Sequence, residues 1–284
     1  DITLAETFPE YSRSKLKKWL ENGYVSVNRQ IIKKASQKLV FPSILELNVP
    51  EENLTDDLPE KIRLSLLEEN EDFVVIEKPP GLVVHPGAGN KSGTLLNALL
   101  HSFPELKKLP RAGIVHRLDK DTSGLMVVAR NEKSLSDLSN QISNRSAKRV
   151  YEAFTVGKID KSGKVDAPIG RHPQNRQKQA VRSTGREAVS HFKVLQTFGS
   201  YSHIQVTLET GRTHQIRVHM TDKGHPLIGD KTYGRSPQSK LKQLSDSAIS
   251  AINALPGQAL HAKSLGFVHP QKEKIQSFQS VIPD

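Results

Sequence analysis

Between Gly113 and Ala129 the chain reads Gly-Ile-Val-His-Arg-Leu-Asp-Lys-Asp-Thr-Ser-Gly-Leu-Met-Val-Val-Ala, two apolar runs interrupted by a polar, turn-forming cluster. Ile114 and Val115 lead in and Leu125 to Ala129 lead out as strand-like pieces, so His116, Arg117, Asp119, Asp121 and Thr122 fall on the connection. A carboxylate on such a loop can act as nucleophile or base, and loops held by rigid strands are where chemistry concentrates. Two readings compete on these residues alone. One is an active-site loop; the other is a Thr-Ser-Gly turn between core strands, with Arg117 and Asp119 as solvated charges.

Several better-known enzyme patterns come close and fail on spacing. His-Arg-Leu-Asp-Lys, with Val74 to Lys78 upstream, approaches two protein-kinase motifs. The exchange of leucine and aspartate turns the carboxylate to the opposite face of an extended segment, and neither a glycine-rich loop nor Asp-Phe-Gly accompanies it. Asp119 to Thr122 places threonine one residue too early for haloacid-dehalogenase phosphatases. Asp121-Thr122-Ser123-Gly124 has no second copy to complete an aspartic protease. Gly87, Gly89 and Gly93 fit neither a dinucleotide fingerprint nor a P-loop and read as a flexible loop. The 11 histidines show no metal-ligand spacing, and His214 and His219, five apart, leave a common helical face. With no cysteine, neither thiolate zinc sites nor disulfides are available. No metal and no cofactor are expected.

Three further segments carry usable groups. Gly211 to Met220 reads Gly-Arg-Thr-His-Gln-Ile-Arg-Val-His-Met. Thr213 can cap a helix running to Lys223 and stopped by Gly224, and Arg212 and Arg217 bracket its first turns, a natural site for an anion. In Lys148 to Phe154, strand alternation puts Arg149, Tyr151 and Ala153 on one face and Val150 and Phe154 on the other. Tyr151 is therefore expected to avoid the more apolar side. Lys78 to Gly87, rich in proline and glycine, reads as a structural turn.

The run from His116 to Leu125 resembles the signature of the RluA-type pseudouridine synthases: His-Arg-Leu-Asp, two variable residues, then Thr-Ser-Gly-Leu. Every fixed position is met, and with Lys78 to Gly87 and Gly211 to Met220 the likeness covers nearly the whole chain. The resemblance implies that Asp119 is the catalytic carboxylate, that Arg217 pairs with it and that Tyr151 contacts the target base. It further implies substrate contacts from His116 and Arg117, the latter intercalating or touching a base, and a phosphate contact from Arg212.

The implied reaction isomerises uridine to pseudouridine in structured RNA, with large-subunit ribosomal RNA as the expected substrate. It breaks N1 to C1′ and joins C5 to C1′ without redox change or energy input, so no nucleotide cofactor is required. An arginine within about 4 to 6 Å lowers an aspartate pKa by roughly 1 to 3 units against the upward push of burial, so Asp119 is expected to be ionised. A paired uridine must also be extruded to reach it. The alternative from another class is a non-catalytic RNA-binding or ribosome-assembly factor on the same fold. Asp119, Tyr151 and Arg217 together argue against it.

The elements that must position these groups can be read more coarsely. The chain has 284 residues, a formal charge of +11 and a pI near 9.7, which favour a polyanionic partner. Its apolar runs fall far short of the about 20 residues of a membrane helix. The start lacks a secretory pattern, so a cytoplasmic protein is expected. Nothing points to an obligate dimer, and a monomer is expected.

Residues 1–50 form a basic module. Ser12 or Ser14 can cap a helix bearing Leu16, Trp19 and Leu20, stopped by Gly23, with Tyr24 to Val27 as a strand turning at Asn28-Arg29. Trp19 is expected in its core. Eight basic residues lie between Tyr11 and Val40 against one acid, Glu21, and Arg13, Lys17, Lys18, Lys33 and Lys34 are the candidate RNA contacts. The module resembles the alpha-L RNA-binding motif, with Arg29 where glycine is usual; that departure weakens the expected hairpin turn.

Residues 51–60 are acidic, bracketed by prolines, and read as a linker. From 61 to 284, strands at Ile62 to Leu67, Phe73 to Glu77, Arg149 to Val156, Val189 to Thr197 and His203 to Glu209 dominate. An Asn131-capped helix to Asn144 and the Thr213 helix interrupt them. The expected fold is α+β: a mixed, mostly antiparallel sheet with flanking helices as catalytic domain, plus a small N-terminal α/β RNA-binding module.

Overall fold

The computed structural model describes residues 2–8, 11, 13–37, 42–49, 57–87, 89–175, 177–234 and 244–283. Ser12, Lys38 and residues 50–56 of the expected linker region lie outside the described residues. The chain divides into two compact units, Asp1–Asn53 and Leu54–Asp284.

In the smaller unit, helices α1 (Ile2–Thr7) and α2 (Arg13–Glu21) accompany strands β1 (Val25–Val27), β2 (Gln30–Ile32) and β3 (Leu45–Leu47), paired antiparallel in the order β2-β1-β3. Leu16, Trp19 and Leu20 recur at helical spacing and are buried with Leu4, Val25 and Ile32, while Tyr11 meets Trp19 edge-on at 4.9 Å. Trp19 is a core residue. Gly23, at φ +83°, ends α2 by donating its amide to the Leu20 carbonyl. Arg13, Lys17, Lys18, Lys33 and Lys34 stand on the exposed surface, with Lys17 3.9 Å from Glu21.

The hairpin turn keeps its tight form without glycine. Asn28 and Arg29 both adopt left-handed backbone, φ +50° and +68°, so Val27 faces Gln30 in register. Asn28 is eased into it because its side chain accepts from the Ile44 amide at 2.8 Å. Arg29 bears the steric cost of its Cβ.

The larger unit is built on one sheet and a small ribbon. Its strands are β4 (Ser65–Glu69), β5 (Phe73–Lys78), β6 (Ser123–Ala129), β7 (Lys148–Val156), β8 (Gly163–Asp166), β11 (Val189–Phe198), β12 (Tyr201–Leu208), β13 (Leu260–Val268) and β14 (Ile275–Gln279). β9 (Ile169–Arg171) and β10 (Gln179–Val181) form the ribbon. The sheet order is β4-β5-β6-β13-β7-β12-β11-β8, with β14 also paired to β13. Every pairing is antiparallel except β6 with β13, where Ser123 faces His261 and Gly124 faces Ala262. Gly124 is required there, since a methyl group at this residue, at φ +106°, would lie 2.4 Å from the Ala262 carbonyl oxygen.

Alternation along β5 and β6 sorts the core into two layers. Val74, Ile76, Met126 and Val128 pack with Leu95 and Leu99 of α3 (Leu95–Ser102), whereas Phe73, Val75, Leu125 and Val127 pack with Leu138 of α4 (Glu132–Ser143). The Asn131 side chain caps α4 by accepting from the Ser134 amide at 2.9 Å. Helices α5 (Gln215–Asp222) and α6 (Asp246–Ala254) complete the unit.

Four sequence expectations need correction. The first strand begins at Ser65, not Ile62. Of the expected linker, Leu58 and Glu60 belong to the larger unit: the Leu58 carbonyl accepts from Asn97 Nδ2 at 2.7 Å, and the Glu60 amide donates to the Asn97 carbonyl. The glycine loop is closed by reciprocal hydrogen bonds between Gly87 and Asn90. The face of β7 that carries Arg149, Tyr151 and Ala153 is the buried one, and its Tyr151 and Ala153 belong to the same apolar core as Ile216 and Met220 of α5.

Replacing Arg29 with glycine removes a left-handed strain of roughly 1 to 2 kcal/mol at the cost of a more flexible unfolded chain. We expect a net gain of about 0.5 to 1 kcal/mol in the N-terminal unit's unfolding in urea, followed by Trp19 fluorescence.

Candidate active site

Asp119 lies on the loop that feeds β6, and that loop is pinned from beneath by a buried lysine. Lys78, at the end of β5 and 1% exposed, donates Nζ to the carbonyls of Pro79 (2.7 Å), Leu82 (2.9 Å) and Lys120 (2.8 Å). The Gly81 amide donates to the same Lys120 oxygen. Burial, opposed by the charges of Asp121 and Asp119, lowers the Lys78 pKa to about 8. One ammonium thus fastens the proline-rich turn to the residue beside Asp119.

The Asp119 carboxylate is 16% exposed and faces a cavity of about 280 Å³. Its Oδ2 accepts from Arg217 Nη1 at 2.9 Å, and its Oδ1 stands 3.9 Å from His214 Nε2. Arg217 does not reach the cavity unsupported. Its Nε and Nη2 donate to both oxygens of Asp230, at 2.7 and 3.0 Å, and its guanidinium lies 5.0 Å from the centre of the Tyr233 ring. Asp230 is fully buried and also accepts the amides of Thr232 and Tyr233. Burial alone would lower the Arg217 pKa, but hydrogen bonds and charge from Asp230 and Asp119 outweigh it and hold the pKa above the ordinary value.

The start of α5 differs from expectation. Thr213 is not its cap; His214 holds that place in left-handed backbone, φ +57°, and its side chain caps nothing. The turn is closed instead by Gln215, whose Oε1 accepts from the Arg212 amide at 2.9 Å and from the Thr210 hydroxyl at 2.7 Å. His214 Nδ1 is bonded to the Tyr233 hydroxyl at 2.8 Å, which in turn accepts the Gln179 amide from β10.

Tyr151, Arg117, His116 and Arg212 line the same cavity as Asp119 and Arg217. Burial raises the Tyr151 pKa, so its hydroxyl keeps its proton. Arg117 is exposed at the rim. His116 is half-buried, and its Nε2 accepts the Val127 amide at 3.1 Å; burial and then the charge of Arg149 push its pKa down to about 3, so it serves as a neutral acceptor. Arg212 spends Nε on the Glu187 carbonyl at 2.8 Å. Arg13, Lys17, Lys18, Lys33 and Lys34 stand on the N-terminal unit.

Comparison with known proteins follows the same division. The family described as RNA pseudouridylate synthase matches residues 72–222, and the S4 domain matches residues 1–41. The chain is 43% identical to the ribosomal large subunit pseudouridine synthase D of Yersinia pestis over 284 residues, all of this chain and 87% of that protein. It is 45% identical to the namesake from Nitrosomonas europaea, over all of this chain and 81% of that one. The chain belongs to the RNA pseudouridylate synthase family.

Its fold is shared with human RNA pseudouridylate synthase domain containing 1, with a TM-score of 0.59 and 25% identity over 78% of this chain and 84% of the human one. The protein is therefore an RNA pseudouridine synthase with an N-terminal S4 domain. Among the described residues no helix is long and apolar enough to cross a membrane. Sequence reasoning missed Asp230, Tyr233 and Lys78 in this synthase. The available signal for Asp230 was an aspartate between Gly229 and a segment bearing an aromatic, all close after the Arg217 helix.

Asp230→Asn leaves the buried Arg217 charge with one carboxylate instead of two. Breaking a buried pair in this way costs about 3 to 5 kcal/mol. Asp119→Asn, at the cavity wall and held through one nitrogen, is expected to cost far less, and paired urea unfolding curves will rank the two.

Proposed function

We propose that this synthase isomerises specific uridines of large-subunit ribosomal RNA, with Asp119 as the catalytic carboxylate. The observation that carries this reading is the 2.9 Å bond from Arg217 to one oxygen of Asp119 in an otherwise water-accessible cavity. Arg217, anchored by Asp230, keeps its charge and its position, and so stabilises the carboxylate form as substrate displaces water. The second oxygen, Oδ1, is left for the reaction.

The chemistry conserves every atom of the nucleotide. N1 to C1′ breaks, the uracil turns, C5 joins C1′, and the hydrogen leaving C5 is balanced by one gained at N1. The step calls on a carboxylate to attack carbon or to remove a proton, and on nothing redox-active. The uridine is extruded from its helix at about a few kcal/mol of unpairing. Tyr151 supplies a ring for the swung base, and Arg117 at the rim occupies or borders the vacated space. Arg212 faces a phosphate with the nitrogens it does not spend on Glu187.

The S4 domain contributes Arg13, Lys17, Lys18, Lys33 and Lys34 as backbone contacts, and the protein works as a cytoplasmic monomer without metal or cofactor. Residues 1–50, a short tether and the remainder are the functional divisions. The curated relatives' names support the ribosomal substrate. A non-catalytic assembly factor has no need for a doubly anchored arginine aimed at a single open carboxylate.

Asp119→Asn is expected to abolish isomerisation of ribosomal RNA while leaving its dissociation constant within about threefold, since phosphate contacts dominate affinity. Tyr151→Phe should retain RNA binding and lose turnover if the hydroxyl takes part. Chemical mapping of pseudouridine after incubation in vitro reads both, and normal turnover by Asp119→Asn overturns the assignment.

A further inference from the structure

The side chain of a second arginine in the cavity has no partner among the described residues. Arg149 lies on the buried face of β7, two residues before Tyr151, is 6% exposed and lines the cavity that holds Asp119. Among the described residues it makes neither a hydrogen bond nor an ion pair, and its Nε is fully shielded from solvent and unsatisfied. A buried guanidinium carries five donors and a full charge, each costly to leave unmet. Elsewhere in the same cavity Arg217 is met by two carboxylates, and among the described residues Asp119 is the only acid on the wall.

The surrounding chain makes room for this group. A methyl group at Gly211 would stand 2.5 Å from Arg149 Nη1, so the glycine that precedes Arg212 leaves a notch occupied by the guanidinium. The charge of Arg149 also reaches its neighbours, lowering the His116 pKa after burial and opposing the rise at Tyr151. Both neighbours are neutral and offer it no compensation. A planar, forked cation that is largely buried and unpaired among the described residues is matched by an oxyanion with two oxygens to present.

We propose that Arg149, seated in the Gly211 notch, is a phosphodiester subsite that receives a backbone phosphate flanking the extruded uridine. It rests on the isomerase reading above and deepens it. Its place, one alternation step from Tyr151 on the same strand face, is one side of the pocket that takes the base. Arg149 differs from the exposed arginines: it grips a single phosphate from a largely buried position, where a charged hydrogen bond gains more than at the surface.

The test uses a synthetic stem-loop of large-subunit RNA and single methylphosphonate replacements, which remove one phosphate charge at a time. With the full-length protein, one replacement next to the target uridine is expected to weaken wild-type binding about tenfold or more. Arg149→Met should weaken binding of the native RNA by the same factor and show no further loss at that one position. Gly211→Ala, which crowds the guanidinium while keeping its charge, should lose binding in the same way.

Removing an unpaired buried charge relieves its desolvation, so Arg149→Met should unfold at an unchanged or higher temperature. Losses that multiply at every position, or native binding by Arg149→Met accompanied by a lowered melting temperature, overturn the proposal and make Arg149 a packing residue. Binding judges the subsite and wild-type turnover judges the isomerase reading, so the two fail separately.

Discussion

Arg217 is the element on which the site depends. Its guanidinium joins a carboxylate with no access to solvent, Asp230, to one that faces the cavity, Asp119. Two nitrogens hold the buried acid and a third is presented to the other, so the arginine is oriented by a partner that does not line the cavity. The helix start shows how firmly this is imposed: His214 is driven into left-handed backbone and Gln215 closes the preceding turn, which together set the direction in which Arg217 leaves α5. The Tyr233 ring completes the enclosure from one face.

The second half of the constraint comes from β5. Lys78 emerges from a strand whose other inward residues are apolar, and it satisfies three carbonyls from two loops. This ties Lys120 to the end of a rigid strand, and Asp119 with it. The Asp119 side of the site is therefore fastened by one buried cation and the Arg217 side by one buried anion. The first is desolvated enough to lower its pKa, which its carbonyl partners tolerate.

Much of this was readable from residue types. Asn131 capping α4, Trp19 in the smaller core and the strand-like run after Asp119 all follow from local pattern, and the structure has them, whereas of the run before it Ile114 makes only an isolated bridge to Val128. What was not readable depends on long-range placement. β13 lies between β6 and β7, which are neighbours in sequence, so no local pattern marks the parallel junction at Ser123 and Gly124. Tyr151 was assigned to the less apolar side because alternation within one strand does not say which face a distant helix will cover. Asp230 went unnoticed because a buried aspartate looks like any turn aspartate until its partner is known. The proline-rich start at Lys78 was recognised as structural, though its ammonium was not.

The insertion of β13 also orders events in time. β6 is complete by Ala129, yet its second neighbour is drawn from Leu260–Val268, more than a hundred residues later in synthesis. Until that stretch is translated, one edge of the strand that follows the Asp119 loop is bare, exposing unpaired amides and carbonyls to any extended chain nearby. A contact of such long sequence separation closes slowly. The sheet behind the Asp119 loop is thus closed only when the last strands are threaded into its middle.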